Sequence, residues 1–191
     1  AAAYAVVSYQ TAWLKYYYPV EYMAALMTSV IDNPGKVAEY IYSCRQMGIK
    51  ILPPDINHGY SSFSVDNGSI RYGLAAIKSI GRPVIKEIVA ERKANGEFKN
   101  LKDFIERMSG KDINKRTIEN FIKSGAFDEL GGTRKQFMVI YVQILDQVNR
   151  EKKNSMTGQM SLFDIVGEEQ KSEFDIPLPN VGEYEKSTKL A

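Results

Sequence analysis

Cysteine and histidine are almost missing from this chain: Cys44 and His58 each stand alone among 191 residues. A lone cysteine excludes an internal disulfide framework, and a reducing, cytoplasmic setting is the expectation. One Cys and one His offer neither a zinc cluster nor a Cys–His nucleophile pair. Long apolar runs are also lacking, so no segment is suited to span a bilayer and no membrane partner is expected. The amino end lacks the basic, apolar and small-residue succession of a signal peptide. What remains, 44% hydrophobic and 25% charged residues, is ordinary for one globular domain or two small ones. The net charge of +2 conceals an uneven distribution. Residues 71–124 carry thirteen Lys/Arg against seven Asp/Glu, a net of +6, whereas residues 154–191 carry three against seven, a net of −4. The basic block suits a polyanion, and the acidic tail suits a solvated strand held away from it.

The elements read as mainly α-helical. Ala2 to Tyr17 has no breaker and carries Val6, Val7, Tyr9, Trp13, Leu14 and Tyr17, a pattern that predicts burial on more than one side. Pro19 opens a second helix to about Val30, and Asp32 or Asn33 caps a third that carries Val37, Tyr40, Ile41 and Cys44 and stops at Gly48. Ile49–Pro54 reads as extended. Ser62–Val65 and Ser69–Tyr72, joined through Asp66-Asn67-Gly68, predict a small β-hairpin. Helices follow over Leu74–Lys78, Pro83–Ala94, Leu101–Met108 (capped by Asn100) and Lys115–Lys123 (capped by Asn114). Thr133 with Gln136 forms a capping box for a last helix whose stripe is Phe137, Ile140, Tyr141, Ile144, Leu145 and Val148. After Asn149 the pattern dissolves, and Pro177 and Pro179 discourage further structure.

Within the basic block, Gly73 to Ile85 has the order of a helix-hairpin-helix: a short apolar helix, a tight turn at Gly81, and a second helix at once. A glycine there lets a backbone approach closely, and the first amides of the next helix carry partial positive charge suited to a phosphate oxygen. Lys78, Arg82 and Lys86 add charge beside that seat, with Ser79 and Ile80 in the turn. An ordinary αα-turn ending in a glycine cap produces the same local pattern. A second hairpin, Ile118 to Phe127 with Lys123, Ser124 and Gly125 at its turn, lies about 45 residues on. Two copies imply a paired unit that holds one phosphate strand per hairpin. The second turn is longer and carries Asp128 and Glu129, which leaves its phosphate contact open.

The acidic tail contains one apolar island, Gln159-Met160-Ser161-Leu162-Phe163, between Arg150–Ser155 and Gly167–Glu173. Flanks so polar cannot offset their own ordering entropy. The island either folds back on the chain's core or docks in a partner's groove, Gln159 at the rim and Met160, Leu162 and Phe163 in pockets. It resembles the Gln-Leu-Ser/Asp-Leu-Phe peptide with which bacterial replication proteins bind the sliding clamp, with Met160 in place of Leu.

A wider resemblance covers nearly the whole chain. Ala2–Lys15 and Tyr18–Leu26 are similar to the end of the fingers domain in the family of the bacterial DNA polymerase III α subunit, a C-family replicative polymerase. Cys44–Ile49, Leu52–Asn57, Arg71–Lys78, Asn114-Lys115-Arg116, Lys123–Asp128 and Gly158–Phe163 continue it in the family's order. The resemblance implies a fingers end over 1–57, a β-hairpin connector over 58–73, a tandem helix-hairpin-helix module over 74–153 and a clamp-binding linker over 154–191. It implies contact of Lys78, Ser79, Ile80, Gly81, Arg82, Lys86, Lys115, Arg116, Lys123, Ser124 and Gly125 with the DNA backbone, and of Gln159–Phe163 with the clamp's β subunit. The implied partners are duplex DNA, the clamp and, through other domains, further replisome subunits. The family's nucleotidyl transfer uses Mg²⁺ on palm carboxylates upstream of anything here, and no acid pair in this sequence has metal-ligand spacing. The expectation is therefore a non-catalytic piece with no cofactor of its own, both ends reading as cut points in a longer protein. The competing readings are the helix-hairpin-helix domain of a repair nuclease or ligase, and a structural adaptor.

Overall fold

The computed structural model describes residues 2–111, 113–156 and 176–190. It is mainly helical, with one small sheet, and divides into two compact units, Ala1–Val89 and Ala90–Ala191.

The first unit is built from α1 (Ala2–Tyr17), α2 (Pro19–Ser29), α3 (Pro34–Gln46), β1 (Ile51–Leu52), β2 (Ser64–Asp66), β3 (Ser69–Arg71) and a single 3-10 turn at Leu74–Ala76. Pro19 and Pro34 each stand at a helix start, where a missing N–H costs nothing. Asn33 is the cap of α3, its side chain accepting from the Lys36 N–H at 3.1 Å. Met23, Ala24 and Met27 of α2 and Val37 and Cys44 of α3 pack with Ile49, Phe63 and Ile70 into one core. The predicted hairpin is present, and its Asn67-Gly68 turn has positive φ at both central residues, 48° and 76°. The extended segment before it does more than expected: β1 pairs in parallel with β3, giving a three-stranded sheet in the order β1-β3-β2.

Two expectations fail here. No residue of α1 is buried, and Tyr4 is 82% exposed. Its aromatic side chains stack on one another instead, Trp13 at 4.8 Å from Tyr17 and 5.7 Å from Tyr18. A run without breakers specifies the helix but not what covers it. The helix expected over Leu74–Lys78 shrinks to one 3-10 turn that ends at Ile77, which is extended, while the first-turn N–H groups of Leu74 and Ala75 are satisfied by the Tyr60 and Ser61 carbonyls.

In the second unit, α5 (Leu101–Met108), α6 (Lys115–Ser124) and α7 (Arg134–Met156) follow α4 (Arg82–Asn95), which crosses the division between units; α8 (Lys186–Leu190) closes the chain. Asn100 and Asn114 cap α5 and α6 as the sequence predicts, accepting from Asp103 and Thr117 N–H groups at 2.8 and 2.9 Å. Phe98, Phe104, Phe121 and Phe127 form an edge-to-face cluster at the centre, with centroids 4.9–6.2 Å apart. The whole predicted stripe of α7, Phe137 to Val148, is buried. That helix continues to Met156, past the point where its apolar period ends, since helix propagation needs no buried face in residues with good propensity. A short helix, α8, forms beyond the two prolines.

Candidate nucleic-acid interface

The turn of the first hairpin runs from Ile77 to α4. Ile77 and Ile80 are buried and anchor it, while Lys78, Ser79, Gly81, Arg82 and Lys86 lie on the surface. The left-handed corner is taken by Ser79 at φ 64°, not by the glycine. The Gly81 carbonyl accepts the first helical bond from the Ile85 N–H at 3.3 Å, which places Gly81 at the cap position of α4. Helix starts leave their first amides without intrahelical partners, so this exposed end carries partial positive charge toward solvent. A Cβ built on Gly81 would meet nothing nearer than Pro83 Cδ at 3.6 Å. The fold itself therefore places no demand on glycine at this position, neither by dihedral angle nor by crowding. Arg82 forms an exposed ion pair with Asp32 at 3.2 Å, an interaction weak enough to exchange for another anion.

The second hairpin is arranged differently. Gly125 caps α6 in the left-handed region at φ 84° and is buried. A Cβ there would collide with the Arg134 guanidinium and lie 2.8 Å from the Asp128 carboxylate. Arg134 Nη1 donates to the Lys123 carbonyl at 3.0 Å, and its Nη2 donates to Asp128 at 2.7 Å. Hydrogen bonding to Asp128 raises the guanidinium's already high pKa further. This corner is thus filled by the chain's own side chains. Ser124 turns its hydroxyl back to the Phe121 carbonyl at 3.0 Å. Lys115, Arg116 and Lys123 are exposed, Lys115 pairing with Asp146 at 3.3 Å and Lys123 with Glu119.

One anion-holding feature escaped the sequence reading. The capping box at Thr133 is formed as predicted, the Thr133 N–H donating to Gln136 Oε1 at 2.9 Å and the Gln136 N–H to Thr133 Oγ1 at 3.2 Å. The two remaining first-turn amides, Arg134 and Lys135, donate to the Glu183 carboxylate at 3.3 and 3.4 Å. The capping box signals that helix start, but nothing in the sequence signals a partner 49 positions downstream.

Gln159–Phe163 lie outside the described residues. Among the described residues no group of three His, Cys, Asp or Glu is placed to hold a metal ion, and no helix is long and apolar enough to cross a membrane.

Residues 48–137, which contain both hairpins, match the model of the helix-hairpin-helix motif family. The chain is also similar to proteins called DNA polymerase III subunit alpha, among them those of three bacteria. That of Escherichia coli K12 is 45% identical over 170 residues, which is 88% of this chain and 15% of that protein. That of Vibrio cholerae is 44% identical over 87% of this chain and 14% of its own length. That of Mycobacterium leprae is 38% identical over all of this chain and 16% of its own length. The chain therefore spans about one seventh of the relatives it matches. With that identity sustained along almost all of its residues, the chain belongs to the bacterial DNA polymerase III alpha-subunit family, as a segment containing its helix-hairpin-helix region.

Proposed function

We propose that this segment grips duplex DNA by its sugar-phosphate backbone and tethers the polymerase to a sliding clamp, without carrying the nucleotidyl-transfer chemistry itself. The observation that carries the first half is Gly81. It is exposed, its φ lies outside the left-handed region, and a Cβ there would make only an ordinary contact with Pro83 Cδ at 3.6 Å. What a bare backbone provides at such a place is clearance for something approaching from outside. The α4 amides beside it and Lys78, Arg82 and Lys86 supply positive charge in the same neighbourhood. None of these groups reads a base edge, so the grip is independent of sequence.

In the tail, Gln159–Phe163 serves as the clamp peptide, and the stretch 154–191 as its linker. Residues 1–57 stand for the end of the fingers, 58–73 for the connector and 74–153 for the DNA-gripping module. The family's Mg²⁺ and its catalytic carboxylates belong, on this reading, to the palm and not to this segment.

Fluorescence anisotropy with a labelled duplex, repeated over a range of salt, tests the grip. Affinity should fall linearly on a log–log plot with a slope of about −0.9 per phosphate contacted, whatever the sequence. Gly81→Val should weaken binding at least several-fold in a chain that remains folded. Salt-insensitive binding, or binding indifferent to Gly81→Val, would leave an adaptor as the better account.

A further inference from the structure

The amino end of α7 is already serving as an anion seat. Of its first-turn amides, Gln136 is taken by the Thr133 hydroxyl, while Arg134 and Lys135 both point at one carboxylate, that of Glu183. Glu183 is delivered by a separate strap of chain. That strap is pinned at two further points, the Gln136 side-chain amide donating to the Pro179 carbonyl at 3.0 Å and Leu178 packing beside Gly132. The same carboxylate accepts from Lys189 Nζ at 2.9 Å and from the Tyr184 N–H at 2.7 Å. Partial burial alone would raise the Glu183 pKa, but the bonds from Lys189 and from the Tyr184, Arg134 and Lys135 amides hold it down at about 2. The carboxylate is therefore fully ionised at neutral pH. A carboxylate straddling two helix-start amides with an ammonium at its flank has the charge and donor set of a bound phosphate. Its two amide bonds, at 3.3 and 3.4 Å, lie at the long end for hydrogen bonds, so an incoming oxyanion has something to improve on.

We propose that the α7 amino end is the second hairpin's phosphate seat and that Glu183 fills it from within, making the 176–190 strap a built-in competitor for DNA. The identity of the competing ligand rests on the backbone-gripping reading above; the seat does not. In the strap-docked state the second hairpin offers no open phosphate site: Arg134 covers Gly125 and Glu183 covers the helix start. Duplex that engages this hairpin displaces the strap's carboxylate, with its Lys189 partner, and gains the two amides of Arg134 and Lys135. The strap would thus keep the second grip closed until a duplex displaces it.

Two measurements on the whole 191-residue chain test this. Amide shifts of Arg134 and Lys135 are followed by NMR during titration with inorganic phosphate, in the native chain and in Glu183→Gln and Glu183→Ala. Duplex affinity is then compared by anisotropy for the same chains and for Glu185→Gln, which removes an equal charge two residues away. The proposal expects phosphate to move the two amides in both Glu183 variants at concentrations that leave the native chain unaffected. It expects duplex affinity to rise about two- to fivefold, the range of a helix-end charge interaction, with a salt slope steeper by about 0.9. Glu185→Gln should give a smaller rise and no change of slope. Amides that ignore phosphate in both variants would overturn the seat. Equal gains from Glu183→Gln and Glu185→Gln would overturn the competition with DNA. A chain that bound no duplex in any form would sink the backbone-gripping reading instead, and the phosphate titration would still decide the seat.

Discussion

Gly125 sits at φ 84° with its missing Cβ aimed at Arg134 and Asp128, whereas Gly81 lies outside the left-handed region and is uncrowded. The glycines of the two hairpin turns therefore differ: the fold constrains Gly125 and places no such demand on Gly81. Gly125→Ala combines an unfavourable dihedral with a collision and should lower unfolding free energy by about 1–3 kcal/mol in urea titrations. Gly81→Ala should leave it within about 0.5 kcal/mol, as an uncrowded surface change does. A large loss of stability for Gly81→Ala would mean the fold, and not a ligand, requires that glycine. Arg107 is a second residue whose role is internal. It donates to Glu91 Oε1 at 3.2 Å, to the Glu97 and Gly96 carbonyls at 3.2 and 2.9 Å, and lies 4.3 Å over the Phe98 ring. Lysine cannot reproduce that fork, so Arg107→Lys should cost about 2 kcal/mol despite keeping the charge.

Among the elements, α4 and α5 are joined through Glu91, whose carboxylate accepts from Lys111, Asn95 and Arg107. Hydrogen bonding to Lys111 leads the causes that hold its pKa at about 2, against 4.5 for an unperturbed glutamate. A folded pKa below the unfolded one means that the ionised form favours folding. The stabilisation is complete above about 4.5 and disappears as pH falls toward 2. Glu91→Gln should therefore lower the melting temperature at pH 7 but much less at pH 2.5; an equal drop at both would show that packing, not charge, is what the residue contributes. How legible these elements were depended on whether their cause was local. The caps at Asn33, Asn100 and Asn114, the Asn67-Gly68 turn and the α7 stripe are written within a few residues of where they act. The β1–β3 pairing, the bonds from the Leu74 and Ala75 amides to the Tyr60 and Ser61 carbonyls, and the reach of Glu183 to α7 join residues far apart in sequence. Periodicity carries no information about such pairings. The exposure of α1 is of the same kind, since a helix pattern does not say what will cover it.

For the molecule as a whole, the basic span 71–124 and the acidic span 154–191 sit in one chain, so under the proposed function the tail would be both the carrier of the clamp peptide and a rival anion for the second hairpin. Two modest attachments in one chain act through effective concentration: once one end is bound, the other rebinds at a local concentration in the millimolar range. Under this arrangement neither contact needs to be tight, and both must be independent. Replacing Leu162 and Phe163 with Ala removes the two largest anchors of Gln159–Phe163 and should reduce clamp capture by at least tenfold in a pull-down or surface-binding assay. The same double variant should leave the affinity and salt slope for free duplex unchanged, because none of the hairpin residues is altered. Clamp capture unaffected by the double substitution would move the tether elsewhere in the chain. Loss of duplex affinity along with it would mean that the apolar island folds against the hairpins, so that grip and tether are one surface and not two.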